Sequence, residues 1–214
     1  MYAAVNAARG QAWAGIEARH GAMPDIAVAD KTLDGVIGLR LDATVVTCHS
    51  DKQGAEPNFT GFGLHPLGCW CDNTGEPLAG MLRPGSAGSN TAADHITVGG
   101  EAIAALPPKY RRRLMVTCDG AGASHALLAH LDALVSPSGH QLIYSVGWEL
   151  GKREKNAITA VPQRAWQIAV DHRGEPRERR ADDACTNRQC THHPCWIEQA
   201  HVTELTAAAP RPSR

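Results

Sequence analysis

Apolar side chains crowd residues 36–48, where Val36, Ile37, Leu39, Leu41, Val45 and Val46 follow one another closely. This is the pattern of a buried strand. Asp42 interrupts it, and a carboxylate within an apolar run is costly unless something pairs with it. The same interruption recurs downstream, where Leu114, Met115 and Val116 lead to Asp119.

The remaining pattern supplies the elements around these two positions. Residues 2–19 are rich in Ala and predict a helix, weakened by Gly10 and Gly15 and broken by 20–25. Residues 49–60 form a polar loop. Residues 61–85 predict a hairpin, with its turn at Asp72-Asn73-Thr74-Gly75 and a return strand over 78–82. Ser89, Asn90 and Thr91 are N-cap candidates for a helix that runs to Leu106 and stops at Pro107-Pro108, with Gly99-Gly100 as its weak spot. Further elements are a strand over 114–118, an amphipathic helix over 125–135, a strand over 141–148, a short helix over 152–160 and a strand over 164–170.

Three strands, helix, strand, helix, strand is the order of a ribonuclease H-like α/β fold, a mixed sheet flanked by helices. In that fold the first and fourth strands are neighbours, so Asp42 and Asp119 meet. Two carboxylates held close repel and need a proton or a cation between them. Oxygen ligands without organised His or Cys favour Mg²⁺ or Mn²⁺. A pair of such ions suits cleavage and transfer of phosphodiesters.

Composition narrows the setting. The chain has 214 residues, 43% of them hydrophobic, enough for a core. No run reaches the ~18 apolar residues of a membrane span, and the Ala-rich start lacks a signal-peptide pattern, so a cytoplasmic location is expected. The net charge of −1 hides an asymmetry: residues 1–107 hold 6 basic and 11 acidic side chains, residues 108–214 hold 15 and 11. The basic surplus of the second half is a weak hint of an anionic polymer. Of the seven cysteines, Cys48, Cys69, Cys71 and Cys118 lie in or beside apolar runs and read as reduced core thiols.

A family resemblance sharpens the reading. The run LRLDATVVTCHSDKQGAEPNFTGFGLHPLGCWCDNTGEPLAGMLRPGSAGSNTAADHI, followed in order by RRRLMVTCDGAGASHALLAHL, IYSVGW and TAVPQRAWQIAVDHRGEPR, resembles the catalytic core of DDE-type transposases of bacterial insertion sequences. The resemblance spans roughly residues 30–178. It implies a ribonuclease H-like core, Mg²⁺ (or Mn²⁺) as cofactor, and cleavage and strand transfer of DNA, with transposon ends and target DNA as partners. Asp42 and Asp119 match the first two acidic residues of the family's triad and are expected as metal ligands, Asp42 bridging both ions.

The family's third acidic residue is a Glu on a helix beyond a β-rich insertion. Nothing in this sequence matches that helix: Glu198 and Glu204 fall outside its motif. The expectation is therefore a linker helix over 1–30, a partial catalytic domain over 31–178 truncated before its last catalytic helix, and a divergent, poorly ordered segment over 179–214. Such a fragment is expected to be inactive unaided. The alternative is a non-catalytic remnant that binds DNA, itself or full-length transposase.

Other positions carry weaker signals. His65, Asn90, Asp94 and His95 match family motifs and could line the site or contact DNA; the plainer roles are a hairpin brace and a helix cap. Lys52, beside Asp51 past the first strand, could touch a phosphate as a point charge. Arg112, between Arg111 and Arg113, could hold the DNA backbone. Cys185, Cys190, His192, His193 and Cys195 have zinc-binding side chains, but the spacing C-x4-C-x-H-H-x-C is irregular and reads as a polar insert. GAGAS lacks the glycines and the Lys of a nucleotide-binding loop.

Overall fold

The computed structural model describes residues 2–28, 31–49, 52–135, 141–170, 173–176 and 201–202. The chain falls into two compact units. One is made of residues 1–26 and 33–149, the other of 27–32 and 150–214.

The first unit opens with helix α1 (Tyr2–His20). Its described strands include β3 (Ile37–Ala43), β4 (Val46–Thr47), β5 (Glu56–Asn58), β6 (Gly61–Leu64), β7 (Leu67–Cys71), β8 (Pro77–Met81), β9 (Arg113–Cys118) and β10 (Gln141–Val146). Helix α2 (Ala92–Ala105) leads to β9, and α3 (His125–Leu134) lies between β9 and β10. The short strands β1 (Ile26–Val28) and β2 (Lys31–Leu33) pair with each other.

Five strands form the main sheet in the order β10-β9-β3-β7-β8. β7 runs antiparallel to both β3 and β8, while β9 runs parallel to both β3 and β10. Hairpin-linked strands on one side and helix-linked parallel strands on the other give the ribonuclease H-like arrangement. The parallel pairs need the long crossovers that α2 and α3 provide. The predicted turn at 72–75 joins β7 to β8, and Gly75 adopts φ 70° there, a conformation that costs glycine little.

Side-chain alternation sorts the sheet's two faces. On β3, Leu39 and Leu41 are buried, whereas Arg40 is exposed and Asp42 half-buried. α2 packs its buried stripe of His95, Val98, Ala102 and Ala105 over β8, β7 and β3. These positions recur at helical spacing on one face, and Gly99-Gly100 do not interrupt the helix. α3 adds Leu127 and Leu131. Its first turn is capped by Ser124, whose Oγ accepts a hydrogen bond from the Leu127 amide at 3.1 Å. α1 docks through Trp13, 1% exposed, and Arg9, which donates to Glu76 at 2.9 Å and to the Pro77 carbonyl.

Several boundaries depart from the sequence pattern. The run 36–48 is two strands, not one. Thr44 donates to the Pro66 carbonyl, but Pro66 has no N–H to return, so the main ladder ends and β4 joins a separate sheet, β4-β6-β5. The predicted polar loop holds β5, an edge strand where Pro57 is tolerated. The 61–85 hairpin loses its first four residues to the small sheet as β6. Thr91 stands at the N-cap of α2 without a side-chain cap bond; its hydroxyl donates to the Gly88 carbonyl.

The second unit holds helix α4 (Lys152–Thr159) and a two-stranded pairing of β11 (Gln167–Ile168) with β12 (His201–Val202). Only two residues of the predicted 164–170 strand are extended into a ladder, because a helical turn occupies Gln163–Ala165. No helix among the described residues is long and apolar enough to cross a membrane. Asp51, the Cys185–Cys195 group, Glu198 and Glu204 lie outside the described residues.

Candidate active site

Parallel pairing of β3 with β9 aligns Leu41 with Cys118. The next residue on each strand is a carboxylate, Asp42 on one and Asp119 on the other. Neighbouring strands lie about 4.8 Å apart, so the two acids stand side by side at the C-terminal ends of two adjacent interior strands. Asp119 leaves its strand in extended conformation, and its Oδ1 accepts a hydrogen bond from the Ala121 amide at 2.8 Å. That bond fixes the turn after the strand and leaves the second oxygen of Asp119 available. Among the described residues, no side-chain hydrogen bond or ion pair reaches the Asp42 carboxylate, while its backbone stays in the β3–β7 ladder.

The Cys118 thiol reports on both acids. Burial first, then the charges of Asp119 and Asp42, together push it up to about 11. Both carboxylates therefore act on one point at the end of β9.

Asp42 also borders a cleft of about 650 Å³ on the sheet face opposite α2, floored by small residues including Gly68 and Gly80 and flanked by Trp70. A Cβ on Gly68 would stand 2.3 Å from the Trp70 ring, so that ring would have to move aside. The end of β10 closes in from the other side. Gly147 donates to the Cys118 carbonyl at 2.8 Å, and the following Trp148 lies against His125, ring centroids 5.1 Å apart. The IYSVGW motif suggested no role for this pair. Its signal is the glycine that lets β10 end against Asp119.

The remaining sequence candidates separate into distinct places. Asn90 is exposed and its Nδ2 donates to the Ala123 carbonyl at 3.5 Å, placing it on the turn that follows Asp119. Lys52 is exposed in the loop between β4 and β5. His65 is 4% exposed, its Nδ1 2.8 Å from the Ala87 carbonyl, and His95 is 1% exposed, its Nδ1 2.9 Å from the Thr91 carbonyl. Both rings are internal braces in this structure, which removes them from direct reach of DNA. Arg112 is exposed but precedes β9 at the opposite end of the strand from Asp119, about 23 Å away at ~3.3 Å per residue. Arg111 and Arg113 spend their guanidinium groups on the Leu106, Ala104 and Asp34 carbonyls.

Sequence reading missed Arg83. Its guanidinium, 2% exposed, donates to the carbonyls of His65 and Gly88 and to Asp94 Oδ2 at 3.1 Å. It ties the strand exit at His65 to the start of α2. An Arg among small residues gives no periodic signal.

The donor set suits a hard divalent cation: two adjacent carboxylates with uncommitted oxygens. Among the described residues, no group of three or more His, Cys, Asp or Glu side chains gathers, so these two acids stand without a third.

No curated protein matches the chain. Among solved structures, the piggyBac transposase synaptic complex with hairpin DNA is similar at a TM-score of 0.41 and 16% identity, covering 63% of this chain and 28% of that one. The Mos1 mariner paired end complex with Mn is similar at a TM-score of 0.32 and 12% identity, covering 58% of this chain and 46% of that one. The chain thus spans less than half the length of either. The family described as transposase DDE domain group 1 matches residues 2–202, and the chain belongs to that family.

Proposed function

We propose that this chain carries the first two metal-binding carboxylates of a DNA transposase, Asp42 and Asp119, and serves cleavage and strand transfer at insertion-sequence ends. The observation that carries this reading is the Leu41–Cys118 register, which sets two acids side by side without a neutralising partner among the described residues. Mg²⁺ or Mn²⁺ bound there supplies charge neutralisation at the phosphodiester being broken. The protein's own part is to hold the carboxylates in register: the Ala121 amide orients Asp119, and the β3–β7 ladder holds Asp42. Transposon-end and target DNA are the partners, with Asn90 and Lys52 as exposed groups for its backbone. The catalytic part spans 31–178, after a linker helix over 1–30.

The finer reading is that this chain alone does not complete the reaction, since no third acid joins the pair among the described residues. It would then act with further copies or with a full-length transposase. The other reading, a non-catalytic binding remnant, keeps the DNA partner without the cation.

Titration with Mn²⁺, followed by electron paramagnetic resonance, tests this. Binding in the wild type that is lost in Asp42→Asn and in Asp119→Asn is the expected outcome. No Mn²⁺ binding, with DNA binding intact, favours the remnant. Nicking of transposon-end DNA by the purified chain overturns the inactive reading.

A further inference from the structure

His65 and His95 are buried, and each holds a ring nitrogen against a carbonyl. His125 differs on both counts. It is exposed, and among the described residues no hydrogen bond or ion pair reaches its ring. What it touches is Trp148, itself 41% exposed, with ring centroids 5.1 Å apart and planes tilted by 46°.

Both rings are tied to Asp119. Trp148 follows Gly147, and a Cβ on Gly147 would stand 3.2 Å from the Asp119 Cα. One Cα–Cβ bond and one Cα–Cα step add about 5.3 Å, so the Trp148 Cα lies within about 8.5 Å of the Asp119 Cα. His125 arrives from the neighbouring strand, through the turn Gly120-Ala121-Gly122-Ala123-Ser124. The Gly122 amide donates to the Asp119 carbonyl at 3.0 Å, and the Ser124 amide to the Gly122 carbonyl at 2.7 Å. The turn is pressed onto both strand ends: a Cβ on Gly122 would stand 2.6 Å from Cys118 Sγ and 3.3 Å from Val146 Cγ1. Its side chains are no larger than that of Ser124, so the turn itself raises nothing bulky between the carboxylate and the imidazole.

An imidazole carries at least one N–H donor in either charge state. Trp148 flanks this one and fixes its place without using either nitrogen. Contacts to phosphate are what set the register of a protein on DNA. A strand with one phosphate at the carboxylate pair carries its next phosphates past the surface around Asp119, where this donor waits.

We propose that His125, braced by Trp148, donates a hydrogen bond to a backbone phosphate neighbouring the one processed at Asp42 and Asp119, and so positions the strand. This rests on the DNA-processing reading above and deepens it. The contact adds affinity without sequence choice, because every nucleotide brings the same phosphate.

The test uses the full chain in EDTA, so that no strand is cut, and a short fluorescein-labelled duplex of mixed sequence followed by anisotropy. His125→Ala should weaken binding about tenfold, the size of one hydrogen bond to a charged group. Its melting temperature should stay unchanged, because the ring is exposed. His125→Gln, which keeps a donor, should recover most of the affinity. His125→Phe, which keeps a ring beside Trp148 but no donor, should bind as weakly as His125→Ala. Unlabelled duplex should also change the share of emission that Trp148→Phe removes from the chain's five tryptophans. Equal binding by His125→Ala and the wild type overturns the proposal alone. Full binding by His125→Phe overturns it in favour of a ring contact. Emission from Trp148 that ignores bound duplex overturns it by placing the strand elsewhere. Failure of the wild type to bind the duplex removes the DNA-processing reading itself, and this inference with it.

Discussion

Gly147 and Asp119 touch backbone to backbone: a Cβ added to Gly147 would stand 2.9 Å from the Asp119 carbonyl carbon and 3.2 Å from its Cα. Neither neighbour is the loose end of a side chain, so the main chain itself has to give. Gly147→Ala is expected to shift Asp119 without altering either carboxylate. Mn²⁺ affinity should fall roughly tenfold, as for other supporting groups around metal ligands. Titration of the variant beside Asp119→Asn checks this; unchanged affinity removes Gly147 from the site.

Asp42 and Asp119 repel in the cation-free protein. Asp42→Asn should therefore raise the stability measured in EDTA, by about 1 kcal/mol where water screens a pair ~4 Å apart. Saturating Mn²⁺ should reverse the order, because only the wild type gains from binding. Paired thermal melts with and without the ion check both signs.

Arg83 is enclosed by the His65 and Gly88 carbonyls and by Asp94. Asp94→Ala strands a nearly buried guanidinium, which costs about 3 kcal/mol when one partner of such a pair is removed. Urea denaturation measures it. A loss below 0.5 kcal/mol, the size of an ordinary surface change, would mean that the two carbonyls suffice.

Burial pushes the Cys69 thiol up to about 12, with Cys71, Asp72 and Cys118 adding to the shift. A free thiol titrates near 9.0, so the folded state holds this proton more tightly than the unfolded chain. The associated stability is complete below pH 9 and is lost as pH rises from 9 toward 12. The melting temperature should fall over that window. Cys69→Ala should flatten the fall, and an equally steep fall in that variant assigns it to other groups.

Much of this was legible in the residues. Leu39, Leu41, Leu114 and Val116 announce β3 and β9 because buried strands need continuous apolar side chains, and Asp42 and Asp119 stand out against them. Asp72-Asn73-Thr74-Gly75 announces a turn because Gly75 alone takes its positive φ cheaply. The end of β3 was not legible, since Val45 and Val46 suit a strand in either sheet. What ends the ladder is Pro66, distant in sequence and adjacent only after pairing. β5 was hidden because an edge strand needs no apolar run. The burial of the histidines was not legible, because a ring matched to a motif says nothing of its surroundings, and His95 proves to be 1% exposed.

Leu41 and Cys118 lie 77 positions apart and meet only when β9 docks beside β3. Until then each acid is an ordinary solvated side chain, and a chain still being synthesised holds no cation site through all of its first three main-sheet strands. Pairings this distant form late and slowly. An ion bound by the finished pair would favour the docked sheet by mass action. In the cell, supply of the divalent ion would set how much of this protein stays folded, and not only what it does once folded.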